Sequence, residues 1–179
     1  DGIHLGHQHV LNRLKELGKE INGKSVVLTF ENHPSTLLRP NHPALLLTTP
    51  LHKERLLKKL GVDLLISLHF TKELSLLTAQ QFLTLVHERL PFRTLVLGYD
   101  AKIGNDRLSD GEQLNQIARM LHFQIESLAP RMHDKDPISS SRIRHALQEG
   151  NLKEVETLLG RPFSYLFSYA KEGFSLEGL

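Results

Sequence analysis

The chain has 179 residues, 40% of them hydrophobic and 23% charged, with 22 lysines and arginines against 20 acidic residues and no cysteine. This composition fits a globular domain of ordinary size and excludes disulfide scaffolds, thiol nucleophiles and cysteine-built zinc sites. A net charge of +2 is too small to imply nucleic-acid binding, and no run approaches the roughly 18–20 uncharged apolar residues of a membrane span.

The chain opens at Asp1 with neither a methionine nor a strand ahead of it, which marks it as a fragment. Val10, Leu11, Leu14, Leu17 and Ile21 recur at helical spacing and predict an amphipathic helix over His7–Ile21. Residues 25–30 form a short β-branched run of buried-strand type. A loop with Pro34, Pro40 and Pro43 follows, and Thr49-Pro50 then has the form of an N-cap with proline at the first helical position, opening a helix to Leu60. Lys53, Arg55, Lys58 and Lys59 on that helix are expected to form a solvated face.

Residues 63–68 predict the next strand, and Thr78 with Gln81 a capping box. Thr94–Leu97 and Phe123–Leu128 predict two more strands, separated by a helix capped by Ser109 with Glu112. Arg131, His133, Asp134 and Lys135 fall in a polar loop before helices near Ser141–Gln148 and Leu152–Leu159. Strands alternating with helices of this length predict an α/β domain, a doubly wound parallel sheet with crossover helices. The domain is expected over residues 1–163, with 164–179 a tail or linker.

Two segments carry chemistry. Asp1-Gly2-Ile3-His4-Leu5-Gly6-His7 leads into the first helix, where free N–H groups and the positive dipole end attract anions. Gly2 and Gly6 would let backbone approach a phosphate, and His4 and His7 can both donate toward it. A solvated histidine cluster, or weak metal ligation, is the alternative. The second segment, Ile138-Ser139-Ser140-Ser141-Arg142-Ile143-Arg144, begins a late helix. Its serines can be caps or phosphate ligands. Arg142 and Arg144, two apart, face different ways, so one at most reaches a common site.

His-x-Gly-His near the start and a late Ile-Ser-Ser-Ser-x-Ile-Arg together resemble the nucleotidylyltransferase superfamily. The opening is similar to that of the bacterial FAD synthetase family, the bifunctional riboflavin kinase/FMN adenylyltransferases. Four further segments resemble that family in order: Thr29-Phe30 with His33-Pro34, Leu47-Thr48-Thr49 before a lysine-bearing helix, Gly98-Tyr99-Asp100 with Gly104, and Leu158-Leu159-Gly160-Arg161-Pro162-Phe163.

The resemblance implies a Rossmann-like fold and a cytoplasmic enzyme that transfers AMP from ATP to FMN, giving FAD and pyrophosphate. Mg2+ would be held mainly by ATP phosphates, with no metal site on the protein and neither nucleic acid nor membrane as partner. It implies catalytic roles for His4, His7 and Arg144, and phosphate binding by Gly2, Gly6, Ser139, Ser140 and Ser141. Asp100, His33 and Gly98 fall on the flavin and adenine side. The chain departs from the family pattern at Asp100-Ala101-Lys102-Ile103-Gly104, which lacks two aromatics, and at Glu31-Asn32-His33-Pro34. The strand that leads into the first motif is apparently missing. Nothing after Pro162 resembles a riboflavin kinase domain, so that activity is not predicted. The competing readings are a non-catalytic nucleotide- or flavin-binding module and an adenylyltransferase with another phosphate acceptor.

Overall fold

A computed structural model describes residues 1–41 and 44–165. Pro43 of the predicted loop and nearly all of the predicted tail lie outside them. The chain divides into two compact units, one formed by Asp1–His69 with the segment from Arg131 onward, the other by Phe70–Pro130.

The first unit begins with α1 (Leu5–Glu20), β1 (Val26–Phe30), the short α2 (Pro34–Leu38), α3 (Pro50–Lys59) and β2 (Leu64–Leu68). β1 and β2 pair in parallel, Val26 opposite Leu64 through Phe30 opposite Leu68. The crossover between them contains α3, whose Leu57 is buried with Ile3 and Leu11. Ser25 and Asp63 tie the two strand starts together. The Asp63 carboxylate accepts from the Ser25 N–H at 2.8 Å and hydroxyl at 2.6 Å. After the second unit the chain returns through a hairpin, β5 (Met132–His133) and β6 (Asp136–Pro137), into α7 (Ser140–Gln148) and α8 (Leu152–Leu159). Ile143, Ala146, Val155, Leu158 and Leu159 of these helices close on Leu47 and Ile138 in a dense core.

The second unit contains α4 (Lys72–Ser75), α5 (Ala79–Arg89), β3 (Thr94–Leu97), α6 (Gly111–Met120) and β4 (Gln124–Ser127). β3 and β4 pair in parallel across α6. Leu83 of α5 and Leu114, Ile117 and Ala118 of α6 bury against Phe123. The expected capping box on α5 is present, with Thr78 accepting from the Gln81 N–H and Gln81 accepting from the Thr78 N–H.

Both parallel βαβ connections follow the predicted alternation. Among the described residues the strands form two separate parallel pairs and one antiparallel hairpin. Most element ends shift by about one residue from the sequence reading, and three differences are more informative. α1 begins at Leu5, two residues early, because the His4 ring is its N-cap, a role more common for Ser, Thr, Asp or Asn. The cap of α6 is Asp110, whose carboxylate accepts from the Gln113 N–H at 2.8 Å, one residue beyond the expected Ser109. The loop around Arg131–Lys135 is the β5–β6 hairpin, turning at Asp134 with φ of 55°.

Candidate functional site

The first unit brings the opening loop, the start of α7 and the Leu47–Thr48 segment together on the Asp1 side chain. Its carboxylate accepts from the Leu47 N–H at 2.8 Å, the Thr48 N–H at 3.2 Å, the Thr48 hydroxyl at 2.9 Å and Arg144 Nη2 at 2.9 Å. With its side chain 7% exposed, Asp1 is a desolvated anion stabilised by four donors. Arg144 also donates from Nε to the Leu45 carbonyl at 2.6 Å. Its Nη1 amino group is left without a protein partner among the described residues. Arg142, two positions earlier, pairs with Glu154 at 2.9 Å and donates to the His133 carbonyl. Of the two arginines, the one that reaches the opening loop is Arg144, as their helical offset requires.

His4 is 6% exposed and its Nδ1 accepts from the His7 N–H at 3.3 Å. In the neutral ring the proton therefore sits on Nε2. Burial pushes the His4 pKa down to about 4, and the positive charges of Arg144 and Arg161 add to the effect. At pH 7 His4 is thus an uncharged N–H donor among cationic groups. His7 stacks on it at 3.8 Å between ring centroids, and burial holds its pKa well below the ordinary value too. His7 Nδ1 is buried without a hydrogen-bond partner.

The glycines have a packing reason that the sequence reading did not contain. A Cβ at Gly6 would sit 3.0 Å from the His4 ring and 3.1 Å from the Ile138 carbonyl oxygen. Gly2 has φ of +84°, and a Cβ there would meet the Leu47 side chain at 2.9 Å. The serines divide. Ser139 is the N-cap of α7, accepting from the Arg142 N–H at 3.3 Å, and Ser140 donates to the Asp1 carbonyl at 2.9 Å. Ser141 is exposed.

Beside Asp1 opens a cavity of about 170 Å³ lined by Thr29, His33, Thr48 and Lys53, among others. His33 caps α2, its Nδ1 accepting from the Ser35 N–H at 3.2 Å. Burial lowers its pKa, with Arg144 and Lys53 among the charges that assist. Lys53 does not belong to the solvated face expected from sequence. Its Nζ donates to the Phe30 carbonyl at 2.6 Å and the Thr29 hydroxyl at 3.1 Å, and burial lowers its pKa. Lys53 lies four residues before buried Leu57, on one helical face with it, and that spacing was the available signal. Asp1 carried no such signal, because its partners stand 46, 47 and 143 positions away.

Gly98 and Asp100 belong to the second unit, in the turn after β3, where the Ala101 N–H donates to the Gly98 carbonyl and Asp100 is exposed. Gly104, with φ of +74°, lies against the start of α5, where a side chain would overlap the Thr78 and Ala79 backbone. Asp106 Oδ1 accepts from the Ala79 N–H at 3.0 Å. The departures Ala101, Lys102 and Ile103 thus sit in a loop whose Gly104–Asp106 end is fixed by α5, and Ile103 packs against the core of the second unit.

The FAD synthetase family model matches residues 1–142. The chain is 33% identical over 165 residues to a bifunctional riboflavin kinase/FMN adenylyltransferase of Escherichia coli strain K12, covering 92% of this chain and 53% of the relative. It is 30% identical over 166 residues to one from Buchnera aphidicola, with the same shares covered. The chain spans about half the length of these relatives. A Listeria monocytogenes protein named FAD synthetase is 30% identical over 174 residues, covering 97% of this chain and 70% of that one. Among solved structures, a crystal structure described as a macrolide-efflux protein from Streptococcus pneumoniae superposes with a TM-score of 0.83 at 34% identity, covering 91% of this chain and 54% of that one. No helix among the described residues is long and apolar enough to cross a membrane.

Proposed function

The chain belongs to the FAD synthetase family, and from that premise we propose that it transfers the adenylyl group of ATP to FMN, giving FAD and pyrophosphate. The observation that carries the reading is the family match over residues 1–142, which contains His4, His7 and the serines of the late motif. The reading includes the Rossmann-like doubly wound sheet expected from sequence; each unit by itself carries one parallel strand pair.

A phosphate oxygen of FMN attacks the α-phosphorus of ATP. One P–O bond forms, the α–β bridge breaks, and the electron pair leaves on pyrophosphate. The attacking oxygen is already ionised near neutral pH, so no general base is required. The protein's contribution is positioning and stabilisation of charge on the leaving group. His4 suits this because burial keeps it neutral while its Nε2–H remains a donor. Arg144 suits it because Nη1 has no protein partner among the described residues while Nε and Nη2 hold the guanidinium in place. His7 stands behind His4 in the stack. Ser139 and Ser140 fix the start of α7, and their hydroxyls keep the capacity for a further bond to phosphate. Gly2, Gly6 and Ser141 complete the proposed phosphate side, and Gly98, Asp100 and His33 the flavin or adenine side.

Mg2+ would be held mainly by the ATP phosphates rather than by side chains of this chain. The Asp1 oxygens are engaged by backbone, Thr48 and Arg144, a donor set suited to an ion pair, so the cation fits this site through ATP phosphates. It would neutralise phosphate charge there.

The test is FAD formation from FMN, ATP and Mg2+ by the purified chain, with riboflavin replacing FMN as the kinase control. FAD from FMN and none from riboflavin is the expected result. AMP transfer to a different phosphate acceptor, or ATP binding by a folded chain that makes no FAD, refutes it.

A further inference from the structure

The loop that carries His4 has an unfavourable backbone. Gly2 has φ of +84° and Ile3, a buried β-branched residue, has φ of +44°. A β-branched side chain in the left-handed region is strained by roughly 1–3 kcal/mol and persists only where surrounding contacts over-determine it.

Those contacts come from α1 and from the end of α8. Arg161 Nη2 donates to the Gly2 carbonyl at 2.8 Å. Gln8 Nε2 donates to the Ile3 carbonyl at 3.0 Å and also to the Leu159 carbonyl at 3.0 Å. Two successive carbonyls of the strained loop are therefore gripped by donors tied to one helix terminus. That terminus is rigid, because Leu158 and Leu159 are buried in the core. Gly160 ends α8 in the left-handed conformation, and a Cβ there would meet Leu5 Cδ2 at 2.5 Å.

Arg161 makes this grip at a cost. Its Nε and Nη1 are buried without hydrogen-bond partners among the described residues, an arrangement that ordinary packing disfavours. Its charge lies close enough to His4 to disfavour the imidazolium, after burial itself and alongside Arg144.

We infer that Arg161 and Gln8 are positioning residues for His4, clamping the strained Gly2–Ile3 carbonyls so that the imidazole keeps its Nδ1 on the helix start and presents its Nε2–H. Arg161 belongs to the Leu158–Phe163 segment that resembles the family, beyond the residues 1–142 that the family model matches. The inference deepens the adenylyl-transfer reading and rests on it for the role of His4.

The experiment compares the full chain with Arg161→Met, Arg161→Lys and Gln8→Leu. Nitrogen-resolved NMR follows the tautomer and titration of the His4 ring, and FAD formation is measured with kcat and KM for ATP separated. Arg161→Met is expected to raise the His4 midpoint only slightly, because burial is the main cause of its depression and the Arg161 charge the smallest one. It is also expected to lower kcat about tenfold to a hundredfold with KM within about threefold. Arg161→Lys, which keeps the charge and one donor, should restore the titration and recover part of kcat. Gln8→Leu should lower kcat and loosen the tautomer.

If Arg161→Met and Gln8→Leu both leave the His4 tautomer, its titration and kcat as in the parent, the inference is overturned. Should Arg161→Met fail to fold, the same readings on the other two variants decide it, and unchanged kcat and tautomer in both overturn it. A parent that makes no FAD refutes the adenylyl-transfer reading, and the imidazole readings alone then decide the clamp.

Discussion

Acid should weaken this fold well before its carboxylates titrate, and His4 sets the size of the effect. Its pKa is about 4 in the folded chain, against an ordinary 6.5. Below pH 6.5 the unfolded chain takes up a proton that the folded chain refuses. The stabilisation is therefore fully present above about pH 6.5, falls by about 1.4 kcal/mol per pH unit as the pH drops, and is exhausted near pH 4. A gap of about 2.5 pH units corresponds to about 3 kcal/mol, a large share of a typical domain's net stability. His7, His33 and His52 shift in the same direction, each chiefly through burial, and steepen the slope. The assay is urea unfolding between pH 7 and 4.5 for the parent and for His4→Asn. Asparagine can still accept from the His7 N–H at the cap, so folding is retained while the His4 proton is removed from the balance. The parent should lose about 2 kcal/mol more than the variant between pH 6.5 and 5. Equal slopes for the two proteins, or a His4 ring that titrates near 6.5, would refute the argument that burial among cations keeps this imidazole neutral.

Other substitutions separate packing from chemistry. Gly6→Ala removes a glycine from a helix, a gain of about 1 kcal/mol by propensity, yet the added Cβ meets a buried ring and a backbone carbonyl. The clash should win, with net destabilisation of about 1–3 kcal/mol in denaturant titration. Arg144→Met leaves the Asp1 carboxylate without its cation and should cost about 2–4 kcal/mol by the same measurement. It should also lower FAD formation at least about a hundredfold in a steady-state assay. Leu158→Ala, at a fully buried position, should destabilise by about 2–5 kcal/mol. Ser139→Ala should lose about 1 kcal/mol as a lost helix cap, whereas exposed Ser141→Ala should stay within about 0.5 kcal/mol, both read from unfolding midpoints.

Local patterns were legible wherever the physics is local. Thr49-Pro50 opens α3, Thr78 and Gln81 close the box on α5, and Thr94–Leu97 is β3, because caps and short apolar runs depend on residues a few positions apart. The Ser109 reading failed by one position because Asp110 supplies a charged acceptor for the Gln113 N–H. The His4 cap was missed because imidazole is an uncommon cap and needs a buried ring to serve as one.

At the site the division is sharper. Residue order alone reveals which residue types stand ready: two histidines three apart at a helix start, a serine-rich helix start with two arginines, and glycines at the opening loop. It also sets them out in the manner of the FAD synthetase family. Folding settles which arginine meets the opening loop, that Asp1 binds it, that Lys53 turns inward, and that Arg161 and Gln8 grip the Gly2–Ile3 carbonyls. Those contacts join positions up to 159 residues apart, and no local periodicity encodes them. Burial has the same origin. The imidazole of His4 is the same group in any loop, and it becomes a neutral donor only where packing removes water and surrounds it with cationic groups.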